Sequence, residues 1–261
     1  VTAWCDGNLL APDTLPKAVP GRLAPFETMG AAAGLLPLWE RHLGRLQATA
    51  VRLGLPFAPP PPLRAAAVDL LRQNGHDDGI LKLQILPSAR SVHVVMTTRS
   101  RGAPLSSVVL LPTVVPRLPP DPPGDLKCAP RRFYDAVQAQ AQDGGADDGI
   151  VVGPDGAVLE TSRHNLWLLL EGIWVTPPLD GAVLPGIARG LLLERAAAGG
   201  LPCAERRCDL GDLHRAQALA VSNAVYGPRP ARLAGSGAPA VAIVDSSLGA
   251  LWRAAATGSS R

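Results

Sequence analysis

The chain has 261 residues, 47% of them hydrophobic, which is enough to bury a sizeable core and to form two modest domains as readily as one. Its 25 basic and 22 acidic residues leave a formal charge of +3, too small and too dispersed to mark a nucleic-acid or acidic partner. Lys17, Lys82 and Lys127 are the only lysines, so lysine clusters for phosphate or membrane surfaces are excluded, and Cys5, Cys128, Cys203 and Cys208 lack metal-ligand spacing and read as reduced, packed thiols, with no metal site expected. No signal peptide and no run of ~18 apolar residues is evident, so a cytoplasmic protein is expected.

Along the chain, Asp6-Gly7-Asn8 marks a turn between short strands, and residues 23–29 read as a strand. Leu36-Pro37-Leu38 leads into a helix over 39–53, with Leu43, Leu46, Ala50 and Leu53 on one face and Gly54 as its stop. His42 and Arg45 lie beside that face, and by spacing alone Arg45 reads as a solvated helix charge. Four prolines at 59–62 break the chain before a second helix at 63–73, and strands at 80–85 and 92–98 turn about Pro87-Ser88. Residues 1–105 are read as an N-terminal α/β domain. Residues 106–126 are read as a connection, strand-like at 108–115 and stiffened by proline at 116–123. Residues 127–261 form the C-terminal domain.

In that second part a helix is expected at 131–142, and a strand opens at 150–152. Gly153-Pro154-Asp155-Gly156 is a turn that places Glu160 at a strand end among small polar residues. Strands follow at 166–170 and 172–176, the latter stopped by Pro177-Pro178. Pro185-Gly186 opens a helix at 187–198, an entry that leaves backbone N–H groups facing outward toward an anion. A strand at 203–208, a helix at 210–217 and a buried strand at 218–224 come next. Tyr226-Gly227-Pro228-Arg229-Pro230 reads as a loop and 246–252 as a terminal helix.

Three ordered segments point further. Val158-x-Glu160-x-Ser162-x-x-Asn165-Leu166, then Thr176-Pro177-Pro178-Leu179, then Leu184-Pro185-Gly186-Ile187-x-Arg189 resembles the core signature of the fold-type IV pyridoxal-phosphate enzymes. That family holds the branched-chain and D-amino-acid aminotransferases and aminodeoxychorismate lyase. Phe26-Glu27-Thr28 and His42-Leu43-x-Arg45-Leu46 resemble two more of its segments. Lys127 alone reads as a surface charge, but Lys127-x-x-x-Arg131-x-x-Tyr134-Asp135 resembles the Lys-Thr-Thr-x-Arg-x-x-Tyr-Asp of the lyases, with Cys128 and Ala129 in place of the threonines. Asn223-Ala224, by itself a turn, resembles the Asn-Ala of the lyases, where aminotransferases usually carry threonine at the position of Ala224. The resemblance runs from Phe26 to Pro230.

The resemblance implies an α+β fold, with a small N-terminal α/β domain, a larger C-terminal domain with a curved sheet, and the cofactor pyridoxal 5'-phosphate between them in a homodimer. It implies that Lys127 links covalently to the cofactor and moves protons, and that Glu160 keeps the pyridine nitrogen protonated. Arg45, Leu184, Gly186, Ile187, Ala188, Asn223 and Ala224 are implied to hold the cofactor and its phosphate. Arg131, Tyr134 and Arg90 are candidates for the substrate. The implied reaction is conversion of 4-amino-4-deoxychorismate to 4-aminobenzoate and pyruvate. The alternatives are a branched-chain or D-amino-acid aminotransferase and, in another class, a non-catalytic interaction protein on the same fold. Two departures bear on this: Pro20-Gly21-Arg22-Leu23-Ala24-Pro25 stands where relatives carry a longer Arg-Gly-x-x-Tyr-Gly-Asp-Gly entrance segment, and Ala188 replaces a common threonine.

Overall fold

The structure, a computed structural model, describes residues 1–89, 91–118 and 121–256. It divides into two compact units, the first made of Val1–Ala103 with Leu126–Pro130 and the second of Pro104–Asp125 with Arg131–Arg261. The first unit opens with β1 (Ala3–Cys5), β2 (Asn8–Leu10) and β3 (Ala24–Gly30), followed by α1 (Trp39–Arg52), α2 (Leu63–Gln73), β4 (Ile80–Pro87) and β5 (Val92–Arg99). The chain then leaves it for β6 (Val108–Thr113) and returns for the short β7 (Cys128–Ala129). The sheet order is β2-β1-β5-β4-β3-β7. Leu46 and Ala50 of α1 and Ala67, Leu70 and Leu71 of α2 pack with Met29, Leu81, Leu83, Ile85 and Met96 of the sheet. The period of about 3.6 residues in the helices and two in the strands sets this helix-facing core, while the alternate strand residues Cys5, Ala24, Leu86 and Val95 form a smaller cluster on the other face.

The second unit adds α3 (Arg132–Asp143), β8 (Asp148–Val152), β9 (Val158–Thr161), β10 (Asn165–Leu170), β11 (Ile173–Thr176), α4 (Ile187–Gly199), β12 (Cys203–Glu205), α5 (Leu210–Arg215), β13 (Ala218–Asn223), β14 (Gly227–Leu233), α6 (Val241–Ser246) and α7 (Leu248–Ala256). Its eight strands run β12-β11-β10-β13-β14-β6-β8-β9 in a curled sheet. Both faces are covered, which explains the unbroken apolar run of β10. Leu166, Leu168 and Leu170 enter one core with Leu219 and Val221, while Trp167 enters the other with Ala218, Ala220, Leu192 and Leu248. The buried indole N–H of Trp167 donates to Ser222 Oγ at 2.9 Å, so its polar atom is satisfied. Among the described residues no helix is long and apolar enough to cross a membrane.

Three sequence readings change here. Residues 108–113, read as part of a connection, form β6, a strand paired in parallel with both β14 and β8. Residues 127–130, assigned by sequence to the C-terminal domain, go with the first unit, because Ala24 and Pro25 of β3 pair with Ala129 and Cys128. Residues 227–233, read in their first part as a loop because of Pro228 and Pro230, form β14. Both prolines lie where β14 pairs only with β13, and β6 joins on the other side only from Ala231 onward.

Candidate active site

In the first unit, Lys127 immediately precedes β7, and its carbonyl accepts the Phe26 N–H at 3.0 Å. That bond fixes the lysine backbone against β3, and the ammonium lies 4.9 Å from the Phe26 ring centre. The next residue of β3 is Glu27, 1% exposed. Its carboxylate accepts Arg45 Nε at 2.8 Å and Nη2 at 2.6 Å, and is 2.7 Å from His42 Nδ1. Arg45 and His42 are one turn apart on α1, so a single helix face presents both. The carboxyl of Glu27 is held at about 2: burial would raise it, but Arg45 first and His42 second outweigh that. The helical charge that spacing alone would leave in solvent is thus one edge of a bidentate buried pair.

In the second unit, β9 ends at Thr161 and carries Glu160, which is 4% exposed. Tyr134 of α3 donates its hydroxyl proton to Glu160 Oε1 at 2.6 Å. The Leu184 N–H donates to Oε2 at 3.2 Å, and Asn165 Nδ2 lies 3.4 Å from the same oxygen. Burial and the adjacent Glu160 carboxylate push the Tyr134 phenol far up, so it stays a donor. Arg131 donates to the carbonyl of Ser162, just past Glu160. Arg131 and Tyr134, placed by sequence among substrate candidates, therefore converge on the Glu160 strand end.

The entry of α4 is fastened to the same strand end. Asn165 Nδ2 donates to the Leu184 carbonyl at 3.0 Å, and a Cβ at Gly186 would overlap the Asn165 amide oxygen. Gly186 is the N-cap and makes no side-chain cap bond, so the N–H groups of the first turn, those of Ile187 and Ala188 included, lack helical acceptors and point outward. Arg189, 2% exposed, ties that turn to the end of β11 through the Pro177 carbonyl at 2.8 Å and pairs with Glu205.

A buried network sets the loop between β9 and β10. Asp148 accepts Thr161 Oγ1 at 2.7 Å and Ser162 Oγ at 2.6 Å, and lies 2.8 Å from His164 Nδ1, whose Nε2 is 2.6 Å from Arg229 Nη2. Sequence reading missed this network, and also Glu27 and His42 as site groups. The Phe-Glu-Thr and His-x-x-Arg segments were the available signal for the latter pair. Asn223 Oδ1 accepts the N–H groups of Val225 and Tyr226, both at 3.0 Å, so this oxygen builds its own turn, with Ala224 inside it. Arg22 donates to the Ser88 carbonyl at 2.6 Å. Arg90 lies outside the described residues.

Two separate units thus carry a lysine beside a buried Glu–Arg–His cluster, and a buried carboxylate beside an uncapped helix entry. Solved structures share this fold. A "Putative 4-amino-4-deoxychorismate lyase" from Legionella pneumophila superposes with a TM-score of 0.82 at 22% identity, covering 92% of this chain and 96% of that one. The PLP-bound form of a hypothetical aminotransferase from Mycobacterium tuberculosis gives 0.81 at 24% identity, covering 98% of both chains. In sequence, the mouse mitochondrial branched-chain-amino-acid aminotransferase is 38% identical over 88 residues, which span 31% of this chain and 22% of the mouse protein. The model of the amino-transferase class IV family matches residues 24–234, and the chain belongs to that family. It is an enzyme of the fold-type IV pyridoxal-phosphate class, and its cofactor is pyridoxal phosphate. Taken separately, each unit carries groups whose chemistry suits that cofactor: in the second a buried carboxylate suits a pyridinium nitrogen and an uncapped helix entry suits a phosphate, and in the first a lysine suits an aldehyde carbon.

Proposed function

We propose that this chain is a 4-amino-4-deoxychorismate lyase, releasing 4-aminobenzoate and pyruvate, and that it works as a cytoplasmic homodimer. The observation that carries the reading is the convergence of Arg131 and Tyr134 on the Glu160 strand end, since both belong to the lyase-like Lys127-to-Asp135 pattern. Asn223-Ala224 supports it. The cofactor, when bound, supplies an electron sink conjugated to the amine-bearing carbon of the substrate. Lys127 would hold the cofactor and, once its amine is free, would take the proton from the amine-bearing carbon at its Nζ. The same proton is then available to the departing enolpyruvyl group, which leaves as pyruvate while the carbocycle becomes aromatic. Glu160, held by Tyr134 and the Leu184 N–H, keeps the ring nitrogen protonated. Within the first unit, Arg45 would serve as a phosphate cation, with Glu27 orienting its guanidinium; within the second, the outward N–H groups at the α4 entry suit the same anion.

The test supplies chorismate, glutamine and an aminodeoxychorismate synthase, then adds this protein. Pyruvate and 4-aminobenzoate should form in equal amounts, and Lys127→Ala should abolish both. Borohydride should fix the cofactor on Lys127, and a label on Lys82 or Lys17 would overturn that assignment. Glu160→Gln should retain cofactor while turnover drops about a hundredfold or more. The second reading, a branched-chain aminotransferase, is favoured by the name of the mouse relative. It takes the place of the first if the chorismate derivative persists untouched while an amino acid and a keto acid exchange nitrogen. Light scattering at assay concentration should give twice the chain mass; a monomer mass would sink the dimer.

A further inference from the structure

The segment 116–123, proline-rich and read by sequence as a stiff connection, carries Arg117. This half-buried guanidinium lies 3.9 Å from the Phe133 ring centre and 5.1 Å from that of Tyr134. Its Nη1 donates to the Pro122 carbonyl at 2.6 Å, and its Nη2 donates to the Tyr134 hydroxyl oxygen at 3.3 Å. A guanidinium has no acceptor, so at this contact the phenol oxygen must accept. The single proton of Tyr134 is then left for Glu160 Oε1, 2.6 Å away. The chain of donors runs one way, from Arg117 to Tyr134 to Glu160, and each bond polarises the next. Phe133 and Tyr134 meet edge to face at 5.1 Å, so the two rings hold the guanidinium in place.

We propose that Arg117 is a positioning residue that acts through Tyr134 to hold Glu160 as a weakly basic carboxylate, so that the shared proton rests on the cofactor's ring nitrogen. A carboxylate that accepts a strong hydrogen bond gives up basicity. Without the Tyr134 donor, Glu160 competes better for the proton and the ring becomes a poorer electron sink. Without Arg117, Tyr134 is free to turn its proton elsewhere and donates less strongly. The proposal rests on the reading of Glu160 as the partner of the pyridine nitrogen, but not on which reaction the enzyme runs.

The test uses the full chain loaded with cofactor labelled with nitrogen-15 in the ring, whose chemical shift separates a protonated from an unprotonated nitrogen. In the unaltered protein the shift should be that of the protonated ring. Tyr134→Phe should move it toward the unprotonated value, and Arg117→Met should move it the same way by less. Arg117→Met added to Tyr134→Phe should change nothing further, because the first residue acts only through the second. Arg117→Lys should recover part of the shift. An unchanged shift in Arg117→Met, even with weaker cofactor retention or a lower melting temperature, assigns the arginine to structure alone and overturns the proposal. So do additive effects in the double variant. An unprotonated ring in the unaltered protein removes Glu160 as its partner, and the relay falls with it. A failed lyase assay leaves these shifts as they are.

Discussion

At the scale of residues, Glu27, His42 and Arg45 form a unit whose energy depends on staying intact. Removing one partner of a buried ion pair typically costs about 3–5 kcal/mol, because the other charge stays buried without compensation. Arg45→Met should therefore lower unfolding stability by that order in a denaturant titration, and should weaken cofactor binding as well; loss of binding alone would mean that Glu27 is not held by the pair. The pH dependence has a definite sign. Burial lowers the proton affinity of His42, against the pull of Glu27, and Glu27 is held at about 2 against an ordinary 4.5. The unfolded chain therefore binds protons more readily at both groups, and their stability is fully present above about 6.5. It is lost as pH falls, first through the range of His42 and then between 4.5 and about 2 through Glu27. Asp148 and His164, both lowered in the same sense, add to the trend. Urea midpoints followed downward from pH 6.5 to 4.5 should fall; a flat profile would mean that these groups are not buried as described. The role of Arg45 was legible only through the resemblance of His42-Leu43-x-Arg45-Leu46 to a family segment, since its spacing alone reads as a solvated charge. Its pairing with Glu27 was not legible, because 18 residues separate them and only the packing of β3 on α1 brings them together.

At the scale of elements, the turn between β9 and β10 and the entry of α4 form one assembly, with Asn165 as the tie. The sequence makes both ends legible, since Glu160 to Asn165 and Pro185-Gly186 are short local patterns. What fastens them is not local: His164 reaches Arg229 across 65 residues, and Tyr134 reaches Glu160 across 26. Nothing in spacing marks such pairs. Gly186→Ala would place a methyl group on the Asn165 amide. The crowding should cost about 1–3 kcal/mol of stability and weaken cofactor retention, because Asn165 also lies against Glu160. Calorimetry and cofactor release on gel filtration would check both, and a fully stable, fully loaded variant would show that the entry of α4 is not so tightly set. Asp148→Asn leaves the packing volume nearly unchanged but weakens the acceptor for two hydroxyls and an imidazole. It should lower the melting temperature and reduce the steep loss of stability on acidification, and an unaltered acid limb would remove Asp148 from the account.

At the scale of the whole molecule, composition and length allow two domains, and the structure has two units. Their boundary is not where the prolines suggest. Proline enrichment marks where a chain is stiff, and here it falls within the second unit, where Arg117 is packed against Phe133. The strand β7 was invisible in sequence because a pair of residues is too short for any period to register. That strand has a practical consequence for anyone cutting the protein apart. A fragment ending at residue 103 would lack β7 and would leave the Ala24–Phe26 backbone of β3 without its partner, an open edge inviting another strand. Such a piece should associate or precipitate, whereas one that carries 126–130 on a linker should stay monodisperse. The smallest workable first unit is therefore discontinuous in the gene, and the tract that completes it contains Lys127.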